Sequence, residues 1–303
     1  MRTETSRMDP GTGMRALVFA AAAGLTMALT ATPATAQATR YVRFERDRMV
    51  AYGILAGDSV RELRGDLLAS PQPTGRSFAL ADVKLLAPID PARVHKVVGV
   101  AVNTLGAGRE GPIPHPRYFA KFPTSIVGPG DGVELPPEAG NLNYEGELVL
   151  VIGKRGRHIP EDSALQYVFG VTVGNDYSEN TWYGERQGIE EPTRLFSKGV
   201  DTWAPIGPAI VTGADFTDLA VEVRLNGEVV QRGRTSELAN KVPNLISYLS
   251  RYVTLEPGDL IFTGTVGRVQ GARRVMQVGD VVDVEIEGLG TLTNPIVSFE
   301  AKR

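Results

Sequence analysis

The chain has 303 residues, a formal net charge of −3, 42% hydrophobic and 22% charged residues. That balance fits a folded globular protein. It excludes a disordered chain and a protein held to nucleic acid by charge alone, which needs a surplus of cations to neutralise phosphates. The absence of cysteine excludes disulfides, Cys-ligated zinc, iron–sulfur clusters and a thiol nucleophile.

In chain order, Met14-Arg15 opens an uncharged run from Ala16 to Leu29, and Ala34-Thr35-Ala36 follows it. A positive start, a short apolar core and an A-x-A site make a secretory signal. Its 14 apolar-run residues are too few to span a bilayer comfortably. Residues 1–36 are therefore expected to be a signal peptide, with 1–13 a start extension. The mature chain would begin at Gln37 in the periplasm or outside the cell, with no membrane span left.

Residues 40–60 alternate in a strand-like way. Ser70 to Gly75 forms a polar, Pro-containing stretch, and Pro88 and Pro91 bracket a linker. Residues 37–92 are expected to form a small β-rich domain and residues 93–303 a larger one. From Val94 onward, short apolar runs such as Lys96 to Val102 and Val281 to Ile286 are separated by Gly, Pro, Asn and Asp. Asn226-Gly227 between two such runs predicts a hairpin. One helix is predicted over Glu237 to Arg251, with Leu238, Val242, Leu245, Ile246 and Leu249 on one face. The fold class is mixed α/β and β-rich.

The most informative segment runs from Asn143 to Lys154. Spacing of i, i+2 puts Glu145 and Glu147 on one face of a strand. Two partly buried carboxylates on one face need a counter-charge, a shared proton or a metal; at a solvated strand entrance they would need none. Asp176 closes a second strand-like run, Val168 to Gly174, where it can complete a three-carboxylate oxygen site or cap a turn. Such a site suits Mg²⁺, Mn²⁺ or Ca²⁺ better than Zn²⁺ or Cu²⁺. Lys198 beside it would balance charge and orient an anion or a water, unless it is an ordinary surface lysine. Backbone N–H groups and hydroxyls in the Thr263-Gly264-Thr265 loop could hold a carboxylate.

Taken in order, Tyr144-Glu145-Gly146-Glu147, Gly174-Asn175-Asp176, Lys198 with Asp201-Thr202, Pro205-Ile206-Gly207-Pro208, Asn226-Gly227-Glu228, Pro257-Gly258-Asp259, Thr263-Gly264-Thr265 and Glu287-Gly288-Leu289-Gly290 resemble the fumarylacetoacetate hydrolase family. The resemblance spans about residues 94–300, and residues 39 to about 90 look like the small N-terminal domain of many bacterial members. It implies a β-roll or sandwich fold, a homodimer, a divalent metal (Mg²⁺, or Mn²⁺ or Ca²⁺) and a small carboxylic acid substrate of the 2-oxo or β-diketo type. It also implies Glu145, Glu147 and Asp176 as metal ligands, Glu110 and Lys198 as catalytic residues, and Lys121 and Thr265 as substrate-binding residues.

The departures bear on the reaction. Many members have Asn-Tyr-x-x-His-x-x-Glu where this chain has Asn103 to Glu110; Glu110 matches the acid, and Ala107 stands in place of the histidine. Asn180 stands where many members have Arg, and Val266 where Pro is common. Hydrolytic C–C cleavage and isomerisation of a hydroxymuconate-type enol are both expected activities. The missing histidine weakens hydrolysis more, because isomerisation needs no attacking water. His115 is the candidate substitute. The alternative is an exported keto-acid binding protein that has lost catalysis, or a purely structural Ca²⁺ site.

Overall fold

The computed structural model describes residues 38–105, 111–182, 185–186, 189–190, 194–272 and 275–299. The expected signal peptide, Ala107 and Glu110 lie outside the described residues. Two sheets dominate. The larger has twelve strands, ten of them on one continuous path: Gln72–Ala79, Ser59–Arg64, Met49–Ala56, Thr39–Arg46, Ala204–Thr212, Val168–Asn175, Gly146–Ile152, Leu260–Thr265, Val97–Ala101 and Arg117–Lys121. The smaller runs Glu228–Arg234, Ala220–Leu225, Val281–Ile286, Gly290–Ser298 and Val133–Leu135. The chain is thus β-rich with few helices, as its residue patterns predict.

The strands of the N-terminal segment extend the main sheet. Thr39–Arg46 pairs antiparallel with Ala204–Thr212 through Tyr41 and Ile210. The polar stretch at Ser70 to Gly75 is in part a strand, because Gln72–Ala79 lies at the sheet edge. An edge strand tolerates Pro73, whose missing N–H would break a central ladder.

The predicted helix is shorter than its periodicity suggests. It covers Val242–Ser250, with Pro243 in its first turn. Proline fits there because the first-turn N–H groups have no intrahelical partner, whereas one turn later it would clash. The residues before it, Thr235–Glu237, form a 3₁₀ turn instead. Val242, Leu245, Ile246 and Leu249 are buried in one cluster with Leu148, Leu150 and Ile152. Each fully buried aliphatic side chain contributes about 1.5–3 kcal/mol. The Asn226-Gly227 hairpin forms as predicted, with both residues at positive φ and Leu225 opposite Glu228.

The strand Gly146–Ile152 is buried along its whole length. Its even residues Leu148, Leu150 and Ile152 join the cluster with the helix, and Val149 and Val151 join a second cluster with Phe262 and Ile206. Coverage on both faces is why the sequence reads there as a continuous apolar run. The pairing that builds the site is antiparallel, with Gly146 opposite Asn175 and Glu147 opposite Gly174. The entrance of one strand therefore meets the exit of the other, and Leu260–Thr265 closes the far side with Glu147 opposite Thr265. Among the described residues no helix is long and apolar enough to cross a membrane.

Candidate metal and substrate site

Register alone brings Glu145, Glu147 and Asp176 together. Carboxylate oxygens from the three lie within 4.8 Å of one another. The Asp176 N–H donates to the Glu145 carbonyl at 2.8 Å, and the Glu145 N–H donates to Asn175 Oδ1 at 2.8 Å, so backbone bonds fix the two chain segments against each other. Glu147 and Asp176 are buried and Glu145 is half-buried.

Glycine shapes the site at two positions. A Cβ on Gly146 would stand 2.4 Å from Val223 Cγ2, so the strand entrance approaches the second sheet more closely than any side chain allows. Gly264 has φ +105, and a Cβ there would meet the Asn103 Cβ at 2.8 Å. That conformation, which L side chains rarely adopt, aims the Gly264 N–H at Glu147 Oε2, 2.8 Å away.

Two lysines face the acids. Lys198, at the end of the short helix Leu195–Lys198, donates to Glu145 Oε2 at 2.5 Å, to Asp176 Oδ2 at 2.5 Å and to the Asp176 carbonyl at 3.5 Å. Its ammonium also lies 5.0 Å from the Phe119 ring centroid, within cation–π range. Lys121, at the end of Arg117–Lys121, donates to Asp176 Oδ1 and, at 3.0 Å, to the Tyr177 carbonyl. Arg268 approaches Glu145 at 3.9 Å and its guanidinium lies over the Tyr144 ring.

These contacts set the electrostatics. Burial, then the charges of Asp176 and Glu145, push the Glu147 carboxyl well above the usual range. Burial also works against the Asp176 charge, but the ammonium groups of Lys121 and Lys198 outweigh it and hold that carboxyl low. Burial, helped by Lys198 and opposed by Asp176, brings the Lys121 ammonium down to about 8. Among the described residues, Glu147 is thus the acid of the three that forms no ion pair, bordered by two like charges. An all-oxygen donor set with one unbalanced buried carboxylate suits a hard divalent cation, and Glu145, Glu147 and Asp176 can hold one.

The site opens into a cavity of about 180 Å³. Glu145, Glu147, Lys198 and Thr265 line it, as do Asn180 and Arg194. The Thr265 hydroxyl accepts from Gln231 Nε2 at 3.0 Å and donates to the Gly146 carbonyl at 3.0 Å. Lys121 sits behind Asp176, fully buried, and is not part of the cavity wall. His115 is exposed, 3.2 Å from the Tyr248 hydroxyl, and none of the three histidines lines the cavity.

Gln231 and Arg194 carry no signal that sequence reading picked up. Gln231 is completely buried and comes from the second sheet. It binds Thr265 Oγ1 and the Val266 carbonyl through Nε2 and accepts from the Gly146 N–H at 3.1 Å. One amide thus joins the Glu145–Glu147 entrance to the Thr263–Val266 loop. Its position in a hairpin strand looks like any other polar residue in sequence.

Comparison with known proteins agrees with this architecture. The profile of the fumarylacetoacetate (FAA) hydrolase C-terminal family matches residues 96–297, and that of the Rv2993c-like N-terminal family matches residues 39–88. The chain is 41% identical over 226 residues to human mitochondrial oxaloacetate tautomerase FAHD2A, covering 72% of this chain and 70% of the relative. The structure resembles 5-carboxymethyl-2-hydroxymuconate delta-isomerase from Mycobacterium smegmatis, with TM-score 0.76 and 36% identity over 86% of this chain and 100% of that one. It likewise resembles 2-hydroxyhepta-2,4-diene-1,7-dioate isomerase from Mycobacterium marinum, with TM-score 0.75 and 36% identity over 86% of this chain and 98% of that one.

Proposed function

This chain belongs to the fumarylacetoacetate hydrolase family, and we propose that within it the protein is a divalent-metal-dependent tautomerase or isomerase of a small 2-oxo dicarboxylic acid. Keto–enol interconversion of an oxaloacetate-like compound is the reaction the site favours. One observation carries the choice over hydrolysis: no histidine lines the cavity, and Ala107 occupies the position of the family histidine. Hydrolysis needs a base that activates water, whereas tautomerisation needs a proton moved between carbon and oxygen and a field that steadies the charge in between.

The residues divide that work. Glu145, Glu147 and Asp176 would hold the cation, which would supply Lewis-acid stabilisation of the substrate oxyanion. Lys198 lines the cavity and sets a positive charge at its wall, against the oxygen where charge develops. Lys121 holds Asp176 from behind. The Thr265 hydroxyl, with its bonds to Gln231 and Gly146, keeps the loop and the strand entrance in register. Glu110 is proposed as the base that takes the proton from the carbon beside the carbonyl and returns it to oxygen.

The test is a stopped-flow assay of oxaloacetate enol-to-keto conversion with Mg²⁺ or Mn²⁺, run beside an acylpyruvate hydrolysis assay. Tautomerisation well above the buffer rate, with little C–C cleavage, supports the proposal. Faster C–C cleavage hands the site to hydrolysis, and no turnover with metal bound favours the keto-acid binding protein. The residues of the signal, Met14 to Ala36, extend the proposal to an exported enzyme, and the family resemblance extends it to a homodimer. N-terminal sequencing of the secreted chain, expected to begin at Gln37, and its mass in solution check these.

A further inference from the structure

We infer that the Thr265 hydroxyl accepts a hydrogen bond from the hydroxyl of an enol or 2-hydroxy acid, and does not donate to a substrate carboxylate. The site thereby favours ligands whose oxygen beside the carboxylate carries a proton. The inference rests on the reading of the cavity as a 2-oxo acid site and deepens it. A carboxylate only accepts, so a hydroxyl that holds one must have its proton available. The Thr265 proton is committed elsewhere, and the group that commits it is Gln231.

Gln231 has a single orientation, because its amide faces two groups of opposite kind. The Gly146 N–H can only donate, and it lies 3.1 Å from Oε1. The Val266 carbonyl can only accept, and it lies 3.1 Å from Nε2. Exchanging the amide oxygen and nitrogen would set donor against donor and acceptor against acceptor. Gln231 is completely buried, so solvent does not relieve such a mismatch. With Nε2 fixed, its second proton goes to Thr265 Oγ1 at 3.0 Å, and Thr265 is the acceptor of that bond. The proton of the hydroxyl itself goes to the Gly146 carbonyl at 3.0 Å.

A hydroxyl has one proton and two acceptor lone pairs. Among the described residues, the bonds to Gln231 and Gly146 are the two hydrogen bonds of the Thr265 side chain. They use the proton and one lone pair, and leave one lone pair for a ligand. Thr265 lines the cavity and stands opposite Glu147 across the strand pair, so this acceptor lies beside the acid cluster. Turning the proton toward a bound carboxylate would give up the bond to Gly146, at the strand entrance that sets Glu145 and Glu147. Accepting from a ligand hydroxyl leaves both existing bonds in place.

The test uses two probes of equal charge and carbon skeleton, pyruvate and lactate, titrated by calorimetry into the Mg²⁺-loaded protein, with each enantiomer of lactate taken separately. Both present a carboxylate beside an oxygen, and only the lactate oxygen carries a proton. Thr265→Val removes the hydroxyl at nearly constant volume. It should weaken the tighter-binding lactate roughly threefold to tenfold, the range of one hydrogen bond, with pyruvate changed less than about twofold on the same scale. Thr265→Ser keeps the hydroxyl and should keep the wild-type ratio of the two affinities. One measurement needs no variant: 2-methoxypropanoate, the methyl ether of lactate, keeps both oxygens and lacks the O–H, and should bind the wild type at least about threefold more weakly than lactate. The inference is overturned if the wild type does not bind lactate, if it binds the ether as tightly, if Thr265→Val leaves lactate unchanged, or if it weakens both probes equally, which is the mark of a lost carboxylate donor. Lactate binding through Thr265 without tautomerisation of oxaloacetate would leave this inference standing and refute the proposed activity. Tautomerisation with equal loss of both probes would do the reverse.

Discussion

Lys121 gives a sharp test of the electrostatic reasoning. It is fully buried against Asp176 and the Tyr177 carbonyl, and burial brings its ammonium from 10.5 down to about 8. Below pH 8 the lysine is charged in both folded and unfolded chains and contributes no pH dependence. Between about 8 and 10.5 the unfolded chain still carries the proton and the folded one has released it. The unfolded state then binds more protons, so stability rises with pH across that window. At 1.36 kcal/mol per unit, the rise amounts to about 3 kcal/mol. The comparison is with Lys121→Met, which keeps the length of the side chain and removes its titration. Urea unfolding of both proteins in chelator, from pH 7.5 to 10, gives the difference directly. The variant loses the Asp176 pairing, an offset that is constant in this range because Asp176 titrates far below it. The wild type should gain on the variant steadily above pH 8. A difference that stays flat to pH 10 would refute the picture of a desolvated lysine.

The remaining expectations concern the acids and the groups that hold them. Because the folded Glu147 carboxyl titrates above its ordinary value of 4.5, the chelated wild type should lose stability as pH rises above 4.5. Glu147→Gln should remove that loss, so it is more stable than wild type in chelator at pH 7, while Mn²⁺ affinity by calorimetry falls by at least the 10–100-fold typical of outer-shell changes. Gln231→Leu leaves the Gly146 N–H and the Val266 carbonyl without their Gln231 partner; at about 1–3 kcal/mol for each buried unsatisfied group, urea unfolding should report a loss of roughly 2–6 kcal/mol. Gly264→Ala forces a side chain into φ +105 with 2.8 Å to the Asn103 Cβ. It should destabilise the chain by about 1–3 kcal/mol and weaken Mn²⁺ binding by moving the N–H that holds Glu147.

Much of the site was legible because strand periodicity is a local rule. Extended chain through Glu145 and Glu147 puts both on one face; the strand itself starts one residue later, at Gly146, and Asp176 directly follows the strand Val168–Asn175. The hairpin at Asn226-Gly227 was equally readable, since positive φ at two consecutive positions is a demand that Asn and Gly meet by themselves. The helix start was misplaced because apolar spacing continues back to Leu238, while the cost of Pro243 anywhere past the first turn moves the start to Val242. The stretch from Ser70 to Gly75 reads only as polar and Pro-containing, because proline and glycine signal a turn, and only a position at the sheet edge makes them compatible with pairing in Gln72–Ala79.

The sequence by itself determined the acid set, the apolar strands that carry it and the absence of histidine from the Asn103 to Glu110 stretch. These follow from residue identity and from spacings of a few positions. Only the tertiary structure decided which cations the acids face, that Lys121 lies behind Asp176 while Lys198 lines the cavity, and that Gln231 reaches across from the second sheet. Lys121 and Asp176 are 55 residues apart, and Gln231 and Gly146 are 85 apart. No local pattern encodes such pairs, because what holds them together is the pairing of distant strands within the large sheet and the burial of the two sheets against each other, which belong to the whole chain and not to any one segment of it.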